Sequence, residues 1–398
     1  VERVKDPYWN VTWRDPSFIA AWHEGTWTYS RSFPTTAAMH GAAETLLVFD
    51  GVRMGASVAL NGHPLGNITD QFLRYEYQVS TQLLPPGGKD NTLTVTFDKS
   101  IPTGGRFTYS SQIDWAPVFA TTDPTASGVD AQRIDGRETF GFGIWKSVYL
   151  LPVKSAAITQ LVLHTFYAGG HPTTILSDDS HGGFDVRARV VVWAPKPLSG
   201  TAKVSIEGVS SGSLQATLVA GVNHLNVTIP ASATKGVRLW HPRGNGQQPR
   251  YNVSATFEQS GSDDAEPAAP VPLTWRLLGF RHVALVTIND TDPAAAATAA
   301  QTDGTGQFGM FFRVNGAAVY ARGGNKIPMD LIDGRLTAVA HRRLVQSAAE
   351  ANMNMVRRRE TLCRFDRACR LADPKSINVA AQGLGRWDLG AASLVRRV

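Results

Sequence analysis

The 398-residue sequence lacks any run of 18 or more apolar residues, and it has only two cysteines. The missing apolar run predicts that no segment crosses a membrane. Cys363 and Cys369 match no zinc-binding spacing and the ten histidines form no metal-like group, so we predict free thiols, no metal and no cofactor. The chain opens Val1-Glu2-Arg3 without a methionine or an apolar signal core, from which we expect a mature or clipped N-terminus.

Charge is also sparse, because only 18% of the residues are charged whereas 43% are hydrophobic. This composition is typical of a globular chain, and its length predicts two or three domains. The net charge of +6 is concentrated in residues 356–398, which contain ten Lys and Arg but only four Asp and Glu. The remainder is close to neutral, so we predict no nucleic-acid partner.

Residues 1–152 have the pattern of a β sandwich of the jelly-roll type. Short alternating runs such as residues 46–49 and 93–97 are separated by clusters of Gly, Pro, Asn and Asp. Asn61-Gly62, between two such runs, predicts a hairpin with a type I′ turn.

Residues 153–290 predict a second, immunoglobulin-like sandwich. The runs 186–193, 203–206, 223–229, 251–257 and 281–288 are strand-like, and residues 260–272 predict a surface loop within this domain. Residues 291–309, rich in Ala, Thr and Gly, predict a linker or loop.

The pattern changes after residue 309, and we assign residues 310–398 to a third, α/β domain. Asn315-Gly316 predicts another hairpin, and residues 337–352 carry apolar positions on one helical face. Residues 353–357 are strand-like again. The order strand, helix, strand requires a parallel sheet.

Several motifs along the chain resemble the family 2 glycoside hydrolases. The resemblance rests on motifs in the family's order, at residues 24–33, 49–52, 60–66, 143–150, 239–246 and 279–281. Within this family, residues 321–330 and 351–357 look most like β-mannosidase. The resemblance implies a jelly-roll domain that is galactose-binding-like, an immunoglobulin-like domain and the start of an incomplete (β/α)8 TIM barrel.

The sequence also departs from the family pattern. Lys326 and Ile113 stand where the family usually has tryptophan, and residues 358–361 replace a Trp-Gly-Gly-Gly turn. Residues 123–142 resemble an insertion. The likeness is degenerate after residue 357 and fades beyond residue 380.

The resemblance implies retaining hydrolysis by two carboxylates about 5–5.5 Å apart. A complete barrel takes about 250 residues, whereas about 90 follow Gly309. We therefore expect the acid/base and nucleophile glutamates beyond this chain, no catalytic residue within it, and no hydrolysis by the 398 residues alone.

We predict four substrate-contacting residues, of which Arg357 and Asp114 match family residues and Asn325 and Trp115 follow from their places in the chain. Asn325 and Arg357 would end the first two barrel strands, and the matching arginine helps to position the sugar and the nucleophile. Asp114 matches an aspartate that reaches sugar hydroxyl groups, a role that suits a carboxylate because it accepts two hydrogen bonds. Trp115 beside it would wall the site.

Five Asn-X-Ser/Thr triplets predict glycosylation, at Asn10, Asn67, Asn226, Asn252 and Asn289. They favour a lysosomal or secretory protein. The oligomeric state is not predicted.

The expected function is exo-hydrolysis of terminal β-D-mannose residues from oligosaccharides or glycoproteins, with a carbohydrate as the partner. One alternative is another family 2 specificity, such as exo-β-glucosaminidase, β-galactosidase or β-glucuronidase. The other is a non-catalytic carbohydrate-binding fragment, because a fold does not by itself give a function. Reading the coding DNA around and beyond codon 357 in all three frames would separate the enzyme from the binding fragment, whereas the pocket residues that separate the family 2 specificities lie on later barrel strands.

Overall fold

A computed structural model gives the structure of the protein. It describes residues 26–52, 55–70, 73–98, 100–101, 133–134, 137–138, 143–144, 146–260, 275–287, 290–291, 310–326 and 337–358. The chain divides into two compact units, with the main division between Lys154 and Ser155.

The first unit is built from antiparallel strands. They are β1 (Trp27–Phe33), β2 (Glu44–Phe49), β3 (Ala56–Leu60), β4 (His63–Ile68), β5 (Tyr75–Gln78), β6 (Asn91–Phe97), β7 (Arg133–Ile134), β8 (Arg137–Glu138) and β9 (Val148–Val153), with one short helix, α1 (Ala37–His40). One sheet has the order β1-β6-β3-β4, a second has β5-β2-β9, and β7 pairs with β8. The core lies among alternate residues of these strands, including Phe49, Val58, Leu60 and Phe97.

The second unit begins with two more antiparallel sheets. Its strands are β10 (Ala157–Tyr167), β11 (Phe184–Ala194), β12 (Leu198–Ile206), β13 (Ser210–Leu218), β14 (Gly221–Ile229), β15 (Tyr251–Gln259) and β16 (Trp275–Leu278), with a 3-10 turn at Ala231–Thr234. One sheet has the order β10-β11-β14 and the other β13-β12-β15-β16. Along β11, every second residue from Phe184 to Ala194 enters the core, as a half-buried strand requires.

The rest of the second unit forms a small antiparallel sheet and a parallel pair. The elements are β17 (Val283–Val286), β18 (Phe311–Val314), β19 (Ala317–Val319), β20 (Gly323–Lys326), helix α2 (Ala338–Glu350) and β21 (Met355–Arg358). The order of the sheet is β17-β18-β19, whereas β20 pairs with β21 in parallel. The sequence groups β17 with the second sandwich, but the structure pairs it with the following hairpin.

Several local expectations are confirmed. Both Asn-Gly turns have positive φ at both residues, 53° and 81° at Asn61 and Gly62 and 50° and 81° at Asn315 and Gly316. Helix α2 begins after Thr337, whose hydroxyl accepts a hydrogen bond from the Ala340 amide. The strand, helix, strand order of β20, α2 and β21 is present.

The mainly-β, multidomain fold class is confirmed. The predicted domain boundaries and the barrel stay predictions. The loop at 260–272, apart from Ser260, and the linker at 291–309, apart from Thr291, lie outside the described residues. No helix in the described part of the chain is long and apolar enough to cross a membrane.

Candidate functional site

The structure brings two of the predicted substrate-contacting residues to the same level of one sheet. Asn325 on β20 and Arg357 on β21 are register partners in the parallel pair, between the pairs Gly324 with Val356 and Lys326 with Arg358. Neighbouring strands lie about 4.8 Å apart. Their backbones are therefore adjacent, although 32 positions separate them in the sequence.

The segments that lead into β20 and β21 are joined by the side chain of Asn354. Its Nδ2 donates to the carbonyl oxygen of Tyr320 at 3.0 Å, and its Oδ1 accepts from the amide of Arg322 at 2.9 Å. The amide of Asn354 donates to the carbonyl oxygen of Arg322 at 2.8 Å. Asn354 is buried, so these contacts are shielded from water.

Gly323 allows the first residues of β20 and β21 to approach closely. A Cβ atom at this position would overlap the carbonyl carbon and oxygen of Met355. A larger residue would push the strands apart just where Asn354 joins them. The pair thus depends on one residue without a side chain and on one with an amide.

Two motifs that carry the family resemblance, at residues 239–246 and 279–281, meet the Asn315-Gly316 turn at one buried junction. The amide of Trp240 donates to the carbonyl oxygen of Phe280 at 2.8 Å. Asn315 donates from Nδ2 to the carbonyl oxygen of Trp240 at 2.9 Å, and its Oδ1 accepts from the amide of His282 at 2.8 Å. The Asn-Gly turn therefore fixes a contact as well as a reversal of the chain.

Arg281 stacks on the same junction. Its guanidinium carbon lies 4.4 Å from the centre of the Trp240 ring, which is a cation–π arrangement. Burial lowers the pKa of Arg281 from its usual value.

A charged cluster near β17 and β18 was not predicted from the sequence. Asp290 accepts from Arg313 through Nε at 2.5 Å and through Nη2 at 2.9 Å, and it contacts Nε2 of His171 at 2.8 Å. The hydrogen bond from Arg313, with further help from His171, lowers the pKa of Asp290 to about 2. The charged Arg313 between apolar Phe312 and Val314 is the one local signal that an acidic partner was needed.

Two histidines near these contacts are shifted towards the neutral form. Burial is the main cause of the lowered pKa of His282, and the neighbouring His171 lowers it further. Burial likewise lowers the pKa of His241, against an opposing effect of Asp178. Protonation of either histidine is therefore disfavoured in the folded protein.

The first unit has its own polar group on the sheet β5-β2-β9. Arg74 donates to Asp50 at 2.8 Å, and Glu76 and Tyr149 are both register partners of Val48. Burial raises the pKa of Glu76, and it raises that of Tyr149 to about 12. Glu76 is a half-buried carboxylate without an assigned role.

The remaining predicted residues divide into described and undescribed positions. Asp114 and Trp115 lie outside the described residues, as do the sequons at Asn10 and Asn289. Asn67, Asn226 and Asn252 are exposed, on β4, β14 and β15. In the described segments, no three His, Cys, Asp or Glu side chains converge as metal ligands.

Comparison with known proteins gives the same resemblance. A family model described as the glycosyl hydrolase 2 galactose-binding domain-like domain matches residues 1–139. Beta-mannosidase of Bos taurus is 26% identical over 364 residues, and Beta-mannosidase A of Neosartorya fischeri is 27% identical over 332 residues. The matches cover 89% and 79% of this chain but only 38% and 34% of those relatives, so the chain spans less than two fifths of their length.

Solved structures show the same fold. The match to a crystal structure of a β-D-mannosidase from Dictyoglomus thermophilum covers 88% of this chain and 39% of the mannosidase chain, with a TM-score of 0.60 and 21% sequence identity. The match to the exo-chitosanase CsxA of Amycolatopsis orientalis covers 90% of this chain and 35% of the CsxA chain, with a TM-score of 0.58 and 18% sequence identity. The resemblance of this chain to the N-terminal part of family 2 glycoside hydrolases is confirmed.

Proposed function

We propose that this chain is the N-terminal part of a family 2 β-mannosidase, which removes terminal β-D-mannose residues from oligosaccharides or glycoproteins with retention. The observation that carries the proposal is the register pairing of Asn325 with Arg357 after two β sandwiches. The β-mannosidase relatives support the choice of sugar, since their similarity extends over most of the chain.

Asn325 and Arg357 are proposed to hold the sugar rather than to break the bond. An amide both donates and accepts hydrogen bonds, and a guanidinium group donates in a fixed fork, so together they suit neighbouring hydroxyl groups. We further propose that Asp114 and Trp115 contribute a carboxylate acceptor and an apolar wall to the same sugar. The roles of Asp114 and Arg357 rest on the family resemblance, whereas those of Asn325 and Trp115 rest on their places beside these residues.

The reacting carboxylates are proposed to lie outside these 398 residues. Retaining hydrolysis needs an acid/base and a nucleophile about 5–5.5 Å apart. The resemblance implies that these two glutamates lie on later barrel strands, and about 90 residues follow Gly309 whereas a complete barrel takes about 250. We therefore propose an incomplete TIM barrel and no hydrolysis by this chain alone.

A second candidate is another family 2 specificity, such as exo-β-glucosaminidase, β-galactosidase or β-glucuronidase. It is favoured by the structural likeness to the exo-chitosanase, which nearly equals the likeness to the β-D-mannosidase. A third candidate is a non-catalytic carbohydrate-binding fragment. We also propose a lysosomal or secretory location, on account of the exposed sequons at Asn67, Asn226 and Asn252.

The first test is to read the coding DNA beyond codon 357 in all three frames. A Trp-Gly-Gly-Gly turn and a later Asn-Glu pair in any frame would support the enzyme. An uninterrupted chain that ends without them would favour the carbohydrate-binding fragment.

The second test compares two proteins on nitrophenyl β-glycosides. The complete gene product should release nitrophenol from the β-mannoside faster than from the β-glucosaminide, β-galactoside or β-glucuronide. The 398-residue chain should release it no faster than buffer does. Preference for another glycoside would replace the sugar named here, and turnover by the short chain would refute the assignment of the carboxylates.

A further inference from the structure

Asn354 occupies a special place in the parallel pair of β20 and β21. Its backbone amide, its Oδ1 and its Nδ2 all contact the segment from Tyr320 to Arg322, at 2.8, 2.9 and 3.0 Å. Its side-chain amide thus takes the place of a backbone unit and extends the ladder beyond the first strand residues. Asn354 and Arg322 directly precede the first register pair of the two strands, Gly323 with Met355.

These contacts specify the register of the pair. If β21 slid by one residue, the amide of Asn354 would no longer face the carbonyl oxygen of Tyr320 and the amide of Arg322. The displaced groups would remain buried without partners, which is unfavourable. A slide by one residue also turns the side chains of a strand to the opposite face.

The backbone around Asn354 holds it in place. Asn352, in the left-handed region at φ 57°, follows helix α2, and the amides of Asn352 and Met353 donate to the carbonyl oxygens of Ala349 and Ala348. The chain therefore leaves the helix in one defined direction just before Asn354. Gly323 completes the arrangement, because any side chain there would overlap Met355.

We infer that Asn354 is a positioning residue, which fixes the register of β20 and β21 and thereby sets Asn325 beside Arg357 for contact with the sugar. The first half of this inference rests on hydrogen bonds alone. The second half rests on the proposed function. The two halves are separable by experiment.

Asn354→Asp and Asn354→Leu remove different parts of the contact. Aspartate has the same shape and keeps an acceptor for the amide of Arg322, but its carboxylate repels the carbonyl oxygen of Tyr320. Leucine keeps the volume and removes both side-chain bonds. Arg343→Gly is the matched control, because it weakens helix α2 at an exposed position in the middle of the helix, away from the contacts of Asn354.

The register is measured by cross-linking pairs of introduced cysteines in a chain whose Cys363 and Cys369 are replaced by serine. Asn325→Cys is combined with Arg357→Cys, or with the offset partners Val356→Cys or Arg358→Cys, and treated with a short thiol cross-linker. With Asn354 present, the in-register pair should cross-link about fivefold more than either offset pair, since offset residues face opposite ways.

The preference should disappear in Asn354→Leu, decrease in Asn354→Asp and persist in Arg343→Gly at equal thermal destabilisation. If Asn354→Leu does not fold, Asn354→Asp alone decides the result. An unchanged preference in the folded Asn354 variants would overturn the inference, because the register would then be set elsewhere.

The sugar contact is measured on the complete gene product as hydrolysis of the nitrophenyl β-mannoside. At a temperature below the melting temperature of each variant, Asn354→Asp should lower kcat/KM about tenfold, while Arg343→Gly should leave kcat/KM within about twofold of the parent value. A lost register with unchanged kcat/KM would support the first half and refute the second. An enzyme without β-mannosidase activity would refute the proposed function and leave the cross-linking result to decide the register.

Discussion

Asp290 and Arg313 form a two-point ion pair in which both side chains are almost buried, with 12% and 10% of their surfaces exposed. The pair ties the segment after β17 to β18, and His171 adds a third contact from the loop after β10. Three distant parts of the chain therefore depend on one carboxylate.

Replacing Arg313 with methionine should destabilise the second unit by about 3 kcal/mol, because the carboxylate of Asp290 would lose its principal partner in a buried place. Urea unfolding at neutral pH, followed by tryptophan fluorescence, measures the change. The double variant with Asp290→Asn should be more stable than Arg313→Met alone. Additive losses would contradict the pairing.

The same carboxylate should make stability depend on acidic pH. Its pKa is lowered from 3.8 to about 2 in the folded protein, so its contribution is complete above about pH 4 and is lost as the pH falls towards 2. Asp290→Asn should be less stable than the parent above pH 4, and the two should converge near pH 2. Asp179→Asn, at an exposed position, is the control and should run parallel to the parent.

His241 and His282 should produce a second dependence, at higher pH. Their pKa values are lowered from 6.5 by folding, so the unfolded chain takes up protons first as the pH falls. Their contribution to stability is complete above about pH 6.5 and decreases towards their lower folded pKa values. His282→Gln should flatten the pH profile of the melting temperature between about 6.5 and 5, whereas the exposed His224→Gln should not.

Gly316 should tolerate a side chain less well than Gly62, although both have a φ of 81° in an Asn-Gly turn. A Cβ at Gly62 meets nothing within 4 Å, so Gly62→Ala should cost only the conformational penalty of about 1–2 kcal/mol. A Cβ at Gly316 would overlap the carbonyl oxygen of Thr174, so Gly316→Ala should cost more. Equal losses in denaturant unfolding would show that the loop at Thr174 moves aside.

Glycosylation can be tested at Asn252, whose Nδ2 donates to Glu207 at 2.6 Å. In a secretory expression host, Ser254→Ala should remove one glycan while leaving this hydrogen bond available. Asn252→Gln should remove the same glycan and the bond together. Mobility on a gel before and after deglycosylation measures the change, and an unchanged mobility would show that the sequon is not used.

Arg357→Lys in the complete gene product should lower kcat/KM for the nitrophenyl β-mannoside about tenfold or more, because lysine keeps the charge but loses the forked donors. Arg343→Lys is the matched control, since Arg343 is exposed on helix α2 of the same unit. Equal activities of the two variants would remove Arg357 from the proposed sugar contact.

The local features of this protein could be predicted from its sequence. Alternation marked β2, β6 and β11, the Asn-Gly pairs marked the two type I′ turns, and Thr337 marked the start of α2. Each of these depends on residues within one turn or one strand, whose preferences are set by neighbouring backbone sterics and hydrogen bonds. The resemblance then supplied the site residues Asn325 and Arg357.

The partners across the chain were decided only by tertiary structure. Nothing near His171 indicates Asp290, nothing near Asn354 indicates Tyr320, and nothing in residues 281–288 indicates that β17 pairs with β18. Strand periodicity determines which face of a strand is buried, but not which strand lies beside it. Which strands pair depends on whether buried charged and amide groups are hydrogen-bonded to residues that are distant in the sequence. Those contacts exist only in the folded chain.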